Sequence, residues 1–411
     1  MLKRIQLWNT FSGWLLLLPV LLVGVPGAFA QDPKPRLDIY GFAMLDMGYQ
    51  GKQNDPSWFD VVRPTKLPAY ANQFGEDGRW FASVRQSRFG VKSFVPTDLG
   101  ELRTIFEFEM FGVGVDAGQT TIRLRHAYGE LGQFGAGQYW SPFMDIDVFP
   151  NSVEYWGPNG MVFFRNVHVR WMPIQGDTRL TIALERPGAS ADGGVYSDRV
   201  ELTDVRGRFP LPDISAEYRW GQSWGYVEAA GIARYIKWDD LGNERYDLAG
   251  DAIGWGLNLS AGVTVGEMDR LHAQVVYGQG IQNYMNDAPV DVGVKELTGP
   301  PPADSTAALD IAEPLPMVGI VLFYDHYWNK QWSSTLGYSR LDIDNSSGQG
   351  ADAFKAGQYA LVNLMHYPAK DVMIGAEFQW GRRENKSDGW SVDDYRVQFT
   401  FKYNFSMSFG G

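Results

Sequence analysis

Hydrophobic and polar residues alternate along most of this chain after its first 36 residues. The clearest example is the segment 251–265, in which every second side chain is apolar: Ile253, Trp255, Leu257, Leu259, Ala261, Val263 and Val265. The positions between them are small or polar, and the segment 391–407 repeats the pattern with Val397, Phe399 and Phe401 on one parity. Successive side chains of a β-strand point to opposite faces of the sheet. The alternation therefore predicts strands with one apolar and one polar face.

About sixteen such segments are predicted between residues 37 and 407, and their connections alternate in length. Short turns such as 95–100 and 266–269 follow the even-numbered segments. Long loops are predicted at 50–78, 112–118, 141–160, 187–212, 239–250, 281–315, 344–355 and 385–390. An even number of antiparallel strands, with short turns at one end and long loops at the other, is typical of an outer-membrane barrel. We therefore predict an all-β fold, a transmembrane antiparallel β-barrel of about 16 strands whose closure pairs every backbone group.

The N-terminus has the features of a secretory signal. Lys3 and Arg4 precede the apolar run "WLLLLPVLLVGV" and the small-residue site "AFA" at 28–30. The alternative is a retained anchor, but about twelve apolar residues are few, since a spanning helix needs roughly 20. We predict a signal peptide at residues 1–30, a single barrel domain at 31–411, and localisation in the bacterial outer membrane.

Composition argues against several classes of function. The chain has no cysteine, which excludes disulfides and a thiol nucleophile. Its 36 Lys and Arg face 48 Asp and Glu, a net charge of −12, which argues against nucleic acid as a partner. A barrel hydrolase needs a nucleophile beside a base, yet none of the five histidines has a serine two residues away: His126, His168, His272, His326 and His366. We predict no enzymatic activity, no catalytic residues, no metal and no cofactor.

Two arginines in "TIRLRHAYGEL" (121–131) are predicted to face the inside of the barrel. Arg123 and Arg125 share one parity, while Ile122, Leu124 and Tyr128 share the other. Further arginines on predicted lumen-facing positions are Arg88, Arg103 and Arg170. One interpretation is that these arginines only neutralise inward carboxylates such as Glu107 and Glu109. The other is that, as a set in a narrow lumen, they concentrate anions.

Loop 141–160 and one strand position leave alternatives open. Asp145, Asp147 and Glu154 would form an acidic wall opposite the arginines, or else accept hydrogen bonds from the loop backbone. Arg85 falls on the predicted lipid-facing parity of its strand, which is costly near the bilayer centre. Either a bulge shifts the register there, or that face meets another protomer. The acidic loop 281–315, with Asp287 and Asp291, is predicted to be a solvated surface loop.

One stretch carries a family resemblance. The segment "GQTTIRLRHAYGELGQFGAGQYWSPFMDIDVFPNSVEYWGPNGMVFFRNVHVRW" (Gly118–Trp171), with "LDIYGFAMLDMGY" (Leu37–Tyr49) and "SVRQSRFGVK" (Ser83–Lys92), resembles the DcaP-like porins of Gram-negative bacteria. The resemblance implies a homotrimer of sixteen-stranded barrels with the third loop, Ser141–Gly160, folded into each lumen as a constriction. It also implies passive uptake of small anions, dicarboxylates in particular.

The residues and the resemblance together predict an anion-preferring outer-membrane porin. Arg88, Arg103, Arg123, Arg125 and Arg170 would line the pore, and the third loop would set its size limit. The expected partners are small anionic solutes, the lipid bilayer and two further copies of the chain. The alternatives are a general non-selective diffusion porin, a barrel enzyme of the phospholipase type and a structural barrel with a plugged lumen. The last of these predicts large apolar side chains pointing inward, which segments 251–265 and 391–407 do not have.

Overall fold

Sixteen antiparallel strands form the wall of a closed barrel, as the alternating segments predict. The strands are β1 Arg36–Gln50, β2 in two parts (Arg79–Ser83 and Arg88–Thr97), β3 Gly100–Phe111, β4 Thr120–Leu131, β5 Phe134–Trp140, β6 Arg165–Ile174, β7 Arg179–Glu185, β8 Asp213–Gln222, β9 Gly225–Asp240, β10 Gly250–Val265, β11 Asp269–Gln279, β12 Pro316–Asn329, β13 Trp332–Ile343, β14 Phe354–Ala369, β15 Val372–Asn385 and β16 Ser391–Gly410. Strand β1 pairs with β16 along its whole length and closes the barrel.

The computed structural model describes residues 34–192, 195, 202–242, 247–296 and 311–411. The predicted signal peptide, residues 1–30, lies outside the described residues. A short segment, Val205–Gly207, pairs with the end of β9. The segments Ala191–Asp192, Val292–Val294 and Ala312–Pro314 form a separate small sheet. No helix among the described residues is long and apolar enough to cross a membrane.

The connections are sorted by end, as predicted. Turns of two to four residues join β2 to β3, β4 to β5, and each later pair of this kind. The connections at the opposite end run from five to 36 residues. We number these loops L1 to L8; L1 comprises residues 51–78, L3 residues 141–164 and L6 residues 280–315.

The two faces of the wall differ in exposure. On β10, Leu257 and Leu259 are 60% and 59% exposed, whereas Asn258 and Ser260 between them are buried. On β16, Phe399 points outward and the side chains of Gln398 and Thr400 are fully buried inside. The outward apolar surface is the one that lipid covers in a transmembrane barrel.

Two irregularities change which side chains point inward. Strand β2 is interrupted at residues 84–87, and there the Arg85 side chain turns inward and is buried. In β4, Leu124 pairs with Phe108 while His126 pairs with Glu107, so Arg125 is an extra residue and bulges. The prediction that Tyr128 points outward is therefore wrong, because the bulge reverses the parity beyond it. Tyr128 is 6% exposed and lies inside.

The inward faces of β11 to β14 are not uniformly small and polar. They carry large buried side chains that form a core with L3: Val276, Met317, Val321, Phe323, Leu341, Tyr359 and Leu361. From L3, Phe143, Val148 and Met161 pack against them. The pattern seen on β10 and β16 therefore does not extend around the barrel, because one side of the lumen receives a folded-in loop.

Candidate pore constriction and anion site

Loop L3 crosses the lumen and is held by inward side chains of the opposite wall. Asn258 of β10 donates to the carbonyl oxygen of Phe143 (3.0 Å). Further along the loop, Asn363 of β14 donates to the carbonyl oxygen of Asn151 (2.8 Å), and Gln398 of β16 donates to that of Val153 (3.2 Å). Side chains from distant strands thus fix the path of the loop.

Asp145 is the strongest single anchor of L3. Its carboxylate is fully buried and accepts hydrogen bonds from Arg219 (2.5 Å), the Tyr226 hydroxyl (2.7 Å) and the Ser260 hydroxyl (2.6 Å). It also accepts one from the backbone N–H of Asp147 (3.0 Å). A carboxylate with four donors and no exposed surface holds the loop against β8 to β10.

The other two acidic residues of the loop differ in exposure. The Asp147 carboxylate is 48% exposed and pairs with Arg219 at 2.5 Å. Glu154 is buried and accepts the backbone N–H groups of Val62 (3.0 Å) and Gly157. Burial raises the pKa of Glu154 to about 8. Of the three predicted acidic residues, only Asp147 presents charge to open space.

Loop L1 also folds into the barrel. Val61, Val62 and Leu67 are buried, and Val62 belongs to the same core as L3. Asp60 accepts a hydrogen bond from Arg85 of the wall at 2.6 Å, which explains the inward turn of that arginine. The constriction is therefore built from two loops, whereas the sequence predicted one.

Four arginines surround two glutamates on the part of the wall formed by β2, β3, β4 and the start of β6. Arg125 lies 2.6 Å from both Glu107 and Glu109 and is buried between them. The remaining pairs have Arg88 at 3.7 Å from Glu107 and at 3.6 Å from Glu109, Arg123 at 3.5 Å from Glu109 and Arg165 at 3.8 Å from Glu109. Four positive charges against two negative ones leave a formal excess of +2. We call Arg88, Arg123, Arg125, Arg165, Glu107 and Glu109 the wall cluster.

The members of the wall cluster differ in access to solvent. The side chains of Arg123 and Arg88 are 27% and 24% exposed, whereas those of Arg125 and Arg165 are buried. The Nη1 of Arg165 has no hydrogen-bond partner among the described residues. Arg88 and Arg123 are therefore the most exposed arginines of the wall cluster.

The other two predicted arginines lie apart from the wall cluster, near the short turns. Arg170 donates to the Tyr128 hydroxyl (2.6 Å) and lies 3.7 Å from Glu130. Arg103 is 57% exposed and pairs with Glu101 (2.7 Å) and Glu130 (3.5 Å). Arg103 and its two glutamate partners border a cavity of about 320 Å³, which therefore carries both signs of charge.

A larger cavity of about 430 Å³ lies between the loops and the wall cluster. Arg123 and Arg165 border it from the wall side, and Arg63 of L1 borders it together with Trp156 of L3. None of the described residues that line it is acidic. A pocket with three guanidinium groups and no carboxylate on its surface favours anions.

A family model described as DcaP outer membrane protein matches residues 40–265, more than half of the chain. This chain belongs to the DcaP outer membrane protein family. Its fold is that of the outer membrane channel DcaP of Acinetobacter baumannii, with a TM-score of 0.73 and 20% identity over 93% of this chain and 100% of that one. A search of curated protein sequences found no match.

More distant porins share the fold of this DcaP-family chain. The anion-selective porin of Comamonas acidovorans gives a TM-score of 0.57 at 11% identity, over 90% of this chain and all of its own. A trimer form of OmpT from Vibrio cholerae gives 0.54 at 11% identity, over 90% and 99%. Family and fold together make the chain an outer-membrane porin, as predicted.

Two cationic residues of this DcaP-family site have no clear signal in the sequence. Arg165 has the outward parity of β6, but β5 ends at Trp140 and leaves room for its guanidinium to reach Glu109. Arg63 lies in a loop whose inward fold no periodicity predicts. The two tryptophans that contact it, Trp58 and Trp156, are brought together only by the fold.

Loop L6 differs from its prediction as a solvated acidic surface. Asp287 is buried and pairs with Arg63 (2.8 Å), and Asp291 is buried and pairs with Arg234 (2.8 Å). The reason is that L6 packs against L1 and the wall, so these carboxylates are counter-ions.

Across the described residues, no group of three or more His, Cys, Asp or Glu side chains is placed to hold a metal ion.

Proposed function

We propose that this DcaP-family porin is an anion-preferring channel for passive diffusion of small carboxylated solutes, with dicarboxylates as its main class. The observation that carries the proposal is the wall cluster beside the acid-free cavity. Four arginines within 4 Å of only two glutamates leave uncompensated positive charge where L1 and L3 narrow the lumen. Cations in a narrow, low-dielectric passage raise the local concentration of anions.

The negative net charge of the chain does not oppose this proposal. Many of its acids lie in loops and at strand ends, such as Asp251, Asp352 and Asp393, away from the wall cluster. The electrostatic potential inside the barrel is set mainly by the nearest charges, because salt screens exposed charges beyond about 8 Å at physiological ionic strength. We further propose a homotrimer with a cleaved signal peptide, in keeping with the family.

The test is the zero-current potential of the purified porin in a planar bilayer under a tenfold KCl gradient. We expect the sign that corresponds to chloride permeation. Replacing Arg88 and Arg123 together by glutamine removes the excess charge of +2 and is expected to abolish most of that preference. Arg208→Gln serves as the matched control, since Arg208 is 54% exposed and pairs with Asp239 at the loop end.

A cation-selective wild-type channel would refute the proposal and leave a porin whose acids dominate. A channel with no ion preference would support the alternative function, a general non-selective diffusion porin. If the double variant kept the wild-type potential, the arginines would only neutralise Glu107 and Glu109.

A further inference from the structure

Arg63 is held in a fixed orientation by three loops. Its Nε donates to Asp287 of L6 at 2.8 Å. Its guanidinium carbon lies 4.2 Å from the ring centre of Trp58 in L1 and 3.9 Å from that of Trp156 in L3. The two indole rings are nearly perpendicular, at 80°, so the guanidinium sits in the corner between them. Trp156 is itself held by its N–H, which donates to the carbonyl oxygen of Asn286 (2.7 Å).

This arrangement leaves one edge of the guanidinium available. Within the described part of the chain, Nη1 and Nη2 of Arg63 have no hydrogen-bond partner, and the residue lines the 430 Å³ cavity. A planar guanidinium matches a carboxylate through two parallel N–H···O bonds. Because stacking and the Asp287 contact already fix the plane, little side-chain entropy remains to be lost on binding.

The wall provides a second cationic group on the same cavity. Arg123 makes only long contacts, 3.5 Å to Glu109 and 3.4 Å to the Tyr155 hydroxyl, and Nη1 of Arg165 has no partner among the described residues. A solute with carboxylates at both ends could therefore contact a loop arginine and the wall arginines at once. A solute with one carboxylate could contact only one of them.

We propose that Arg63 is the specificity-determining residue of this channel: its free edge binds one carboxylate of a permeating dicarboxylate while Arg123 and Arg165 attract the other. This role deepens the proposed function and rests on it. The proposal predicts that the planar shape of the Arg63 guanidinium distinguishes dicarboxylates from monocarboxylates. The wall cluster, by contrast, attracts any anion through its charge. A lysine at position 63 keeps the charge but lacks the planar pair of donors.

The experiment measures the permeability ratio of succinate to acetate, together with that of chloride to potassium, in planar bilayers. We expect Arg63→Lys to lower the succinate-to-acetate ratio by about fivefold, the effect of losing one well-formed contact, and to leave the chloride-to-potassium ratio nearly unchanged. Arg63→Gln should lower both. Arg208→Lys, at an exposed Arg–Asp pair, is the matched control and should change neither.

A second variant tests the orientation of Arg63 without replacing Arg63 itself. Trp156→Leu keeps the charge of the cavity but removes one stacking face, and we expect it to lower the succinate-to-acetate ratio in the same direction. The proposal is overturned if both variants keep the wild-type ratio in channels of normal heat stability, or if the wild type does not prefer succinate to acetate. Cation selectivity of the wild type would instead refute the proposed function itself.

Discussion

Replacing Arg125 by methionine is expected to destabilise the barrel by about 3–5 kcal/mol, the usual cost of removing one partner from a buried ion pair. Arg125 is 5% exposed and lies 2.6 Å from Glu107 and 2.6 Å from Glu109, which are buried as well. Without it, the two carboxylates face a low-dielectric interior with the hydroxyl groups of Tyr40 and Tyr155 and only longer contacts to arginines. The measurement is the temperature at which the folded band converts to the unfolded one when samples are heated to successive temperatures before electrophoresis.

Arg103→Met is the matched control for this prediction. Arg103 also contacts two glutamates, but its side chain is 57% exposed, so an effect of about 0–1 kcal/mol is expected. Equal heat stability of the two variants would contradict the view that burial makes the Arg125 pair critical. For this reason the selectivity experiment replaces Arg88 and Arg123, which are partly exposed, and leaves Arg125 in place.

Replacing Asp145 by alanine is expected to release L3 from the wall and raise the single-channel conductance. The carboxylate is the common acceptor of Arg219, Tyr226 and Ser260. Its loss leaves the two buried hydroxyl groups without a partner, whereas Arg219 keeps Glu228 and Asp147. Each unsatisfied buried group costs roughly 1–3 kcal/mol, which favours a loop that moves away and lets water in. Single-channel recording and limited proteolysis within residues 141–164 measure the two consequences.

Asp147→Ala tests whether the effect depends on anchoring. Asp147 is two residues away and also pairs with Arg219, but it is 48% exposed. We expect its conductance and proteolysis pattern to stay close to those of the wild type. An Asp145→Ala channel with unchanged conductance would mean that the apolar core around Phe143 and Met161 holds L3 without the carboxylate.

Much of the fold was predictable because strand periodicity is local. The alternation at 251–265 predicts β10 to within one residue, and the spacing of turns and loops predicts the number of strands. The prediction for Tyr128 failed because one bulged residue reverses parity, and no local pattern marks a bulge. The inward core of β11 to β14 was missed because it depends on which loop fills the lumen.

The site was predictable only where alternation along a strand indicates which side chains point inward. Arg123, Arg125 and Arg88 lie inside, as their parity indicates, while Arg63 and Arg165 reach the cavity through loop packing and an early strand end. For the same reason Asp287 was misassigned to a solvated surface. Charge in a loop has no periodicity from which its direction can be read, so tertiary contacts decide whether it is solvated or paired.

Gln398 of β16 has a consequence for biogenesis. It donates to the carbonyl oxygen of Val153 in L3 and to Asp46 of β1 (3.0 Å), so the last strand made contacts both the first strand and the inserted loop. L1 and L3 leave the ribosome long before the wall on which they pack. They therefore cannot complete their packing until the C-terminal strands are in place, so sealing of the barrel and completion of its constriction are coupled.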